Sequence, residues 1–354
     1  MSGPIMEVSG EVDLKEVVVG LGGGQAPGSN HRGAVLLVVL WVMLAMSLLA
    51  LSFSASIRTE VEAARNVVTQ KQCFYLARAG IEYAVYEILE SQLAFAQTQQ
   101  LIEEGLESIP QVLTGMVNLE LEGHSASVEV IDETGKLSLN TAPSHLIYNL
   151  LITVGVGGPA ADIITDSIED WRDPDDFYHD NGAESDWYQA LPKPYWAKNG
   201  PFDVPEELML VRGITPEIYY GRKGLTSGGE RVEYYGLQNY VTVFTKGNRI
   251  NVNSAPLPVL ASIPGLEYED ALQLVALREQ MPIGDVTQVL EMLPGLPTDT
   301  TSYLSTLRSN VYTLVSTGRI RDSEIVSRIR AVVRVGTGYK GYGVLYWNEM
   351  NFEL

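Results

Sequence analysis

From Asp162 to Asp186 the chain holds ten carboxylates against one basic side chain, Arg172. The densest part reads Asp173-Pro-Asp-Asp-Phe-Tyr-His-Asp-Asn-Gly-Ala-Glu-Ser-Asp-Trp187. Carboxylates this crowded repel one another, so two states are open to them: splayed in water, or gathered by a hard cation. Calcium suits the second state, because it accepts about six to eight oxygens with loose geometry. The candidate ligands are Asp173, Asp175, Asp176, Asp180, Glu184 and Asp186. Their spacing is not that of an EF-hand, so a solvated acidic loop stays open beside the calcium site. His179 lies in the same stretch without a second His or Cys near it, which argues against a transition-metal site.

Other chemistry finds little support. The four histidines stand far apart at 31, 124, 145 and 179, and there is no Gly-x-Ser-x-Gly, no His-Glu-x-x-His and no phosphate loop. Carboxylate pairs in the acidic loop could do acid–base work, but nothing in the sequence marks a cleft around them, so no enzyme is expected. Ile263-Pro-Gly-Leu266, followed by Ala271 and Arg278, resembles a helix-hairpin-helix, whose turn amides hold a DNA phosphate. Here Glu267, Glu269 and Asp270 occupy that helix terminus and would repel it. With a net charge of −20, no nucleic-acid partner is expected. The single cysteine, Cys73, cannot form an internal disulfide and reads as a small buried side chain.

The acidic loop sits between two copies of a motif. Leu137-Ser-Leu-Asn-Thr-Ala-Pro-Ser-His-Leu-Ile147 matches Ile250-Asn-Val-Asn-Ser-Ala-Pro-Leu-Pro-Val-Leu260 in order and type. In each, a short strand ends in Asn, Thr or Ser supplies a helix N-cap, and Pro follows just inside the helix. Helix, Gly-containing turn and helix come next, giving two small helical modules at 141–237 and 254–309. Between them Asn239-Tyr-Val-Thr-Val-Phe-Thr245 reads as a returning strand. Before them, Met116 to Glu122 and Ser125 to Asp132 alternate apolar with polar residues around Gly123-His124, which predicts a β-hairpin. After them, Val311 to Thr317 reads as a strand, and Ser327 to Val335 alternates likewise. Arg328, Arg330 and Arg334 share one face of the latter, as a solvated sheet face or a stripe for a partner. Gly336 to Gly343 then turns the chain into Val344 to Met350.

Ahead of all this lies an uncharged run, Ala34 to Phe53, inside an interval without charge from Arg32 to Arg58. That exceeds the ~20 residues a helix needs to cross a bilayer, and only a helix satisfies every backbone group there within one segment. Val61, Ala64, Val68, Phe74, Ala77, Ile81, Val85 and Ile88 extend an apolar face at helical spacing, with Gly80 as the first weak point. The first thirty residues are acidic and glycine-rich and read as a flexible leader, with Met6 as an alternative start. A plain signal anchor is one reading of the run.

His31-Arg32-Gly33-Ala34 supports another, because it resembles the leader junction of type IV prepilins and pseudopilins, where cleavage follows the glycine and the apolar helix is kept. Gly33-Ala34-Val35-Leu36-Leu37-Val38 resembles the start of the K pseudopilin (GspK-like) family of type II secretion systems. Most pseudopilins carry a glutamate at the fifth mature position; here it is Val38, and the K family is similar in lacking it. A buried carboxylate there would need a positive partner in the next subunit, so its absence suits a subunit at the filament tip. Tyr75-Leu-Ala-Arg-Ala-Gly80, the Asn-Thr-Ala-Pro motif, Gly182 to Tyr188 and Pro201 to Leu208 are likewise similar to K-family motifs. The long acidic leader is a departure from that pattern.

The resemblance implies an α+β, pilin-like fold, with a long N-terminal helix packed on an antiparallel β-sheet. Two small helical (helix-hairpin-helix or SAM-like) modules form a large insertion. It implies a prepilin-type leader at 1–33, a transmembrane part of the helix at 34–57, and the periplasmic helix with the first strands at 58–140. The modules occupy 141–237, with the acidic loop, and 254–309, with a returning strand at 238–253 and the last strands at 310–354. It implies cleavage after Gly33 and N-methylation at Ala34 by a prepilin peptidase, and a single-pass inner-membrane protein with its C-terminal domain in the periplasm. The expected partners are the I and J minor pseudopilins of a tip complex and the major pseudopilin. A minor pilin of a type IV pilus or competence system is the related alternative.

Overall fold

The computed structural model describes residues 31–102, 114–225, 231–336 and 341–350. Of the leader expected at 1–33, residues 1–30 lie outside them, and 31–33 open the first helix. The chain divides into two units, Met1–Ala64 and Arg65–Leu354. Helix α1 (His31–Ile102) begins in the first and ends in the second. In the first unit its side chains from Ala34 onward are exposed, Leu36, Trp41, Leu49 and Phe53 among them. Among the described residues it is the one helix long and apolar enough to cross a membrane.

In the second unit α1 buries Cys73, Ala77, Ile81, Ala84, Val85 and Ile88, a stripe at spacings of three and four, against a sheet. The elements that follow are β1 (Gly115–Leu121), β2 (His124–Asp132), β3 (Leu137–Ser138), α2 (Ser144–Thr153), α3 (Gly158–Arg172) and α4 (Ser185–Gln189). Then come α5 (Pro216–Tyr220), β4 (Arg222–Leu225), β5 (Arg231–Tyr234), β6 (Val241–Thr242), β7 (Ile250–Asn251), α6 (Leu257–Leu260), α7 (Tyr268–Gln280) and α8 (Thr287–Met292). The last are β8 (Leu304–Ser305), β9 (Val311–Ile320), β10 (Val326–Val335) and β11 (Tyr342–Met350). The sheet is antiparallel in the order β1-β2-β9-β10-β11, so the segment from Glu133 to Asn310 is inserted between two neighbouring strands. Val128, Val130, Leu314, Ile329, Ala331 and Val333 face the helix.

Gly80 does not weaken α1, contrary to the sequence reading. A Cβ there would meet Ser316 Oγ at 2.6 Å and the Ala126 Cβ at 2.9 Å, so the missing side chain lets the helix lie close on the sheet. Gly318 is its counterpart on β9, since a Cβ would fall 2.1 Å from the Cys73 carbonyl oxygen and 2.6 Å from the Ala77 nitrogen. The hairpin is also one residue off the expected link: Leu121 pairs with His124, and the turn is Glu122-Gly123, both with positive φ (24° and 89°). That is the backbone a two-residue turn between twisted strands requires.

The inserted segment follows the repeat, with two differences. The expected returning strand is only β6, which pairs parallel with β3 and does not join the sheet; β7 and β8 pair in the same way in the second module. The N-cap positions are Pro143 and Pro256, without a side-chain cap, so Thr141 and Ser254 do not cap. The repeated asparagines do the ordering. Asn140 donates to the Phe202 carbonyl (3.0 Å) and accepts from the Phe202 N–H (2.7 Å). Asn253 treats Ile283 identically, at 2.9 and 2.8 Å. Each amide satisfies both backbone groups of one residue in a distant loop, as a strand neighbour would. Arg172, ending α3, donates to the Leu139 carbonyl, and Arg278 near the end of α7 donates to the matching Val252 carbonyl (2.6 Å).

Replacing Gly318 by Ala sets a Cβ against helix backbone that has no rotamer with which to yield. Overpacking of this kind costs roughly 1–3 kcal/mol. Thermal unfolding of Gly318→Ala is therefore expected several degrees below the parent, and an unchanged melting temperature contradicts the close helix–sheet contact.

Candidate cation site

The acidic loop leaves α3 at Asp173 and returns to the Asn140 clasp at Phe202. The arginine at its start does not neutralise it. Arg172 pairs with Glu169 and spends its other donors on the Leu139 and Ala142 carbonyls, so it holds the repeat motif and leaves the loop carboxylates alone.

Side chains of α3 pin the loop. Asp166 accepts the Asn181 N–H (2.9 Å) and its amide (3.0 Å). Asp170, fully buried, accepts the His179 N–H at 3.0 Å through Oδ1, and Nδ1 of the same imidazole lies 2.5 Å from that oxygen. Gly182 then passes directly over the other oxygen: a Cβ there would lie 1.9 Å from Asp170 Oδ2. No side chain fits at 182, and Asp170 Oδ2 is left buried without a hydrogen-bond partner.

Glu184 carries the strongest signal. It stands at the N-cap of α4, where an acceptor side chain ordinarily takes an N–H from the first turn, yet it makes no cap bond. Its residue is 1% exposed, and both carboxylate oxygens are buried without a hydrogen-bond partner. Asp173 Oδ1 is buried and unpartnered as well. Burial first, then the charges of Asp170, Asp173, Asp176 and Asp175, push the Glu184 carboxyl up to about 7. Burial and the neighbouring Asp175 raise Asp173. The hydrogen bond to Asp170 raises His179.

Ligand atoms of Asp173, Asp175 and Glu184 lie within 4.8 Å of one another, as do those of Asp170, Asp173 and His179, with Asp173 common to both groups. Buried carboxylate oxygens without donors are unfavourable alone and suit a hard, oxygen-loving cation. The donor set therefore fits calcium. Of the six residues expected from sequence, Asp173, Asp175 and Glu184 converge. Asp176 accepts from Asn199 (2.9 Å), Asp186 accepts from the Tyr178 hydroxyl and the Trp187 N–H, and Asp180 is exposed and in neither group. Asp170 was not among the six, because on paper it is one more polar residue of an amphipathic helix; its spacing of three from Asp173 was the available signal.

The other singled-out residues serve structure. His145 contacts Tyr303 across the two modules (3.2 Å), and the buried Cys73 donates to the Ile325 carbonyl. Arg328 and Arg334 bond within the chain, to Thr317 and the Phe244 carbonyl. At the DNA-like turn, Asp270 accepts the Glu267 N–H (3.2 Å), so the N-terminus of α7 is capped by its own carboxylate. Ala34 and Val38 are exposed on α1.

Comparisons with known proteins converge on one family. Family models described as type II secretion system (T2SS), protein K match residues 127–221 and 250–307, ranges that cover most of each module. Type II secretion system protein K of Pectobacterium carotovorum subsp. carotovorum is 28% identical over 206 residues, which are 54% of this chain and 61% of that protein. The protein of the same name from Aeromonas hydrophila gives the same identity and coverage. The matched region thus spans about three fifths of the relatives' length. Among solved structures, a chain of the GspK-GspI-GspJ complex from the enterotoxigenic Escherichia coli Type 2 Secretion System shares the fold. Its TM-score is 0.53 at 19% identity, covering 83% of this chain and 99% of that one.

The site implies a pH dependence with a definite sign. Glu184, Asp173 and His179 all hold a proton more tightly folded than unfolded, so their contribution to stability is greatest at low pH and is lost as pH rises through the folded values. For Glu184 the window runs from the ordinary 4.5 to about 7. The melting temperature of the chelator-treated chain is expected to fall from about pH 5 to about pH 7.5, and Glu184→Gln to flatten the fall. A level or rising curve for the parent chain contradicts the buried, cation-free carboxylates.

Proposed function

We propose that this chain, a GspK-like protein, works as a minor pseudopilin of a type II secretion system. It caps the periplasmic pseudopilus as part of a tip complex and supports export of folded proteins across the outer membrane. The observation that carries the reading is the pair of protein K modules set between two neighbouring strands of a pilin-like sheet, behind a helix long and apolar enough to cross a membrane. Such an insertion is too bulky to be buried between stacked subunits and fits where nothing sits above it. Val38 in place of a glutamate agrees, since no buried carboxylate asks for a partner in a subunit above. The I and J pseudopilins are the proposed partners, by analogy with the complex whose fold the chain shares. The helix anchors the precursor in the inner membrane with the second unit in the periplasm, and the protein acts by assembly, not catalysis.

Maturation follows from the junction. Prepilin peptidase cleaves after Gly33 and methylates Ala34, leaving the helix in place. Gly33→Asp is expected to remain at precursor size on a blot of cells carrying the peptidase, while the parent shortens. Equal processing of the two refutes the junction.

Calcium is the proposed ligand of Asp170, Asp173, Asp175 and Glu184, supported by the orphaned buried oxygens of three of them. When bound it supplies the positive charge that these carboxylates lack. Ligand at about 100 times its Kd stabilises a fold by about 2.7 kcal/mol, so calcium should raise the melting temperature and a chelator reverse the rise. Asp170→Asn should abolish the rise and Asp180→Asn leave it intact. No shift in the parent at millimolar calcium would falsify the site.

A further inference from the structure

Glu184 can offer both oxygens to a cation only if the loop that carries it is held by something that does not itself take those oxygens. One basic side chain does this. Arg212 sits in the turn before α5, and its Nη1 donates to the Gly182 carbonyl at 2.7 Å and reaches the Asn181 carbonyl at 3.4 Å. Its guanidinium lies over the Trp187 ring, 5.2 Å from the centroid, and its backbone N–H donates to Tyr188 Oη at 3.2 Å. These contacts grip the chain two residues before Glu184 and three and four residues after it. The buried Tyr188 is wedged in turn against Trp171 and Trp187, with ring centroids 5.3 and 5.0 Å apart.

We infer that Arg212 is the positioning residue of the cation site, fixing Glu184 and the Gly182 crossing over Asp170 while leaving the carboxylates unpaired. This rests on the calcium reading above. An arginine in an acidic cluster ordinarily pairs with a carboxylate in a forked geometry. Arg212 instead binds carbonyl oxygens and an aromatic face, so its charge is used for grip without occupying a ligand. Outer groups that orient metal ligands typically govern about 10- to 100-fold in affinity.

The inference predicts a sign that plain electrostatics reverses. Removing a cation from the neighbourhood of a calcium site reduces repulsion and should tighten binding. Removing a positioning group should weaken it. Calorimetric calcium titration of the full chain in detergent decides between them, with the metal-free melting temperature recorded for each variant. Arg212→Ala is expected to bind calcium about tenfold or more weakly. Arg212→Lys, which keeps charge and a carbonyl donor but loses the flat ring contact, should fall between it and the parent. If Arg212→Ala does not fold, Trp187→Leu serves, with several-fold weaker binding expected. A parent chain that fails to bind calcium at millimolar concentration overturns the cation reading and this one with it. A parent that binds, with variants that bind as tightly or more tightly, overturns the role of Arg212 alone.

Discussion

The inserted modules leave and re-enter the sheet at one place. Asp132, the last residue of β2, pairs across the ladder with Tyr312 of β9, so the chain leaves and re-enters the sheet at neighbouring positions. A buried polar joint closes that gap. Asp132 accepts from the N–H and hydroxyl of Thr134 and from the Asn251 amide at 3.0 Å, while Glu133 pairs with Lys136 and accepts from Thr313 at 2.7 Å. Asp132, Glu133 and Lys136 are each under 5% exposed, and a buried charge left unpaired would be strongly destabilising. Their mutual satisfaction fixes how the second module, through Asn251, meets the first strands. Gly135 makes the joint tight, since a Cβ there would lie 2.6 Å from the backbone of Ser254.

From that joint the order spreads through backbone groups satisfied at a distance. Asn140 and Asn253 each clasp one residue of a far loop, and Arg172 and Arg278 each bind the carbonyl just before the matching asparagine. The helices α2, α6 and α8 are short and could not stand alone. They pack into one core with Leu146, Leu150, Ile164, Val259, Leu260 and Leu274 among its residues, continuous across both modules.

What could be read from the sequence divides along this line. The long helix, the five strands and the repeat were legible because each declares itself through a period or a recurrence within a short window. The functions of individual side chains inside the repeat were not. Thr141 and Ser254 looked like caps because their position fits, whereas the asparagine before each makes its bonds 62 and 30 residues away, a partner no local pattern reveals. Gly80 looked like a break for the same reason, since its neighbour Ser316 lies on β9. At the acidic loop, density of charge marks the region where carboxylates converge. Which carboxylates converge is a tertiary fact: Asp170 joins Asp173 and His179 beneath the Gly182 crossing, while Asp180 and Asp186 join neither group.

The repeat also explains how an acidic loop can be carried without loosening the fold. In the second module the chain runs from Arg278 to the residue clasped by asparagine, Ile283, across 279–282 alone. In the first, the matching interval from Arg172 to Phe202 spans 173–201 and contains the cluster except for Asp170, which α3 supplies. Both ends are pinned by the same pair of interactions in each copy, so the longer excursion begins and ends on a scaffold that the shorter copy shows to be sufficient. Lengthening a loop between fixed ends adds little closure entropy. The unfavourable part is the charge, which lies in the interval and on the last turn of α3 beside it. Glu184 is raised by burial and by carboxylates of the loop and its flanking helix, not by anything in the second module. The cluster is thus a local addition to one copy of a repeated unit, able to change its charge state while the clasps at either end hold the module in place.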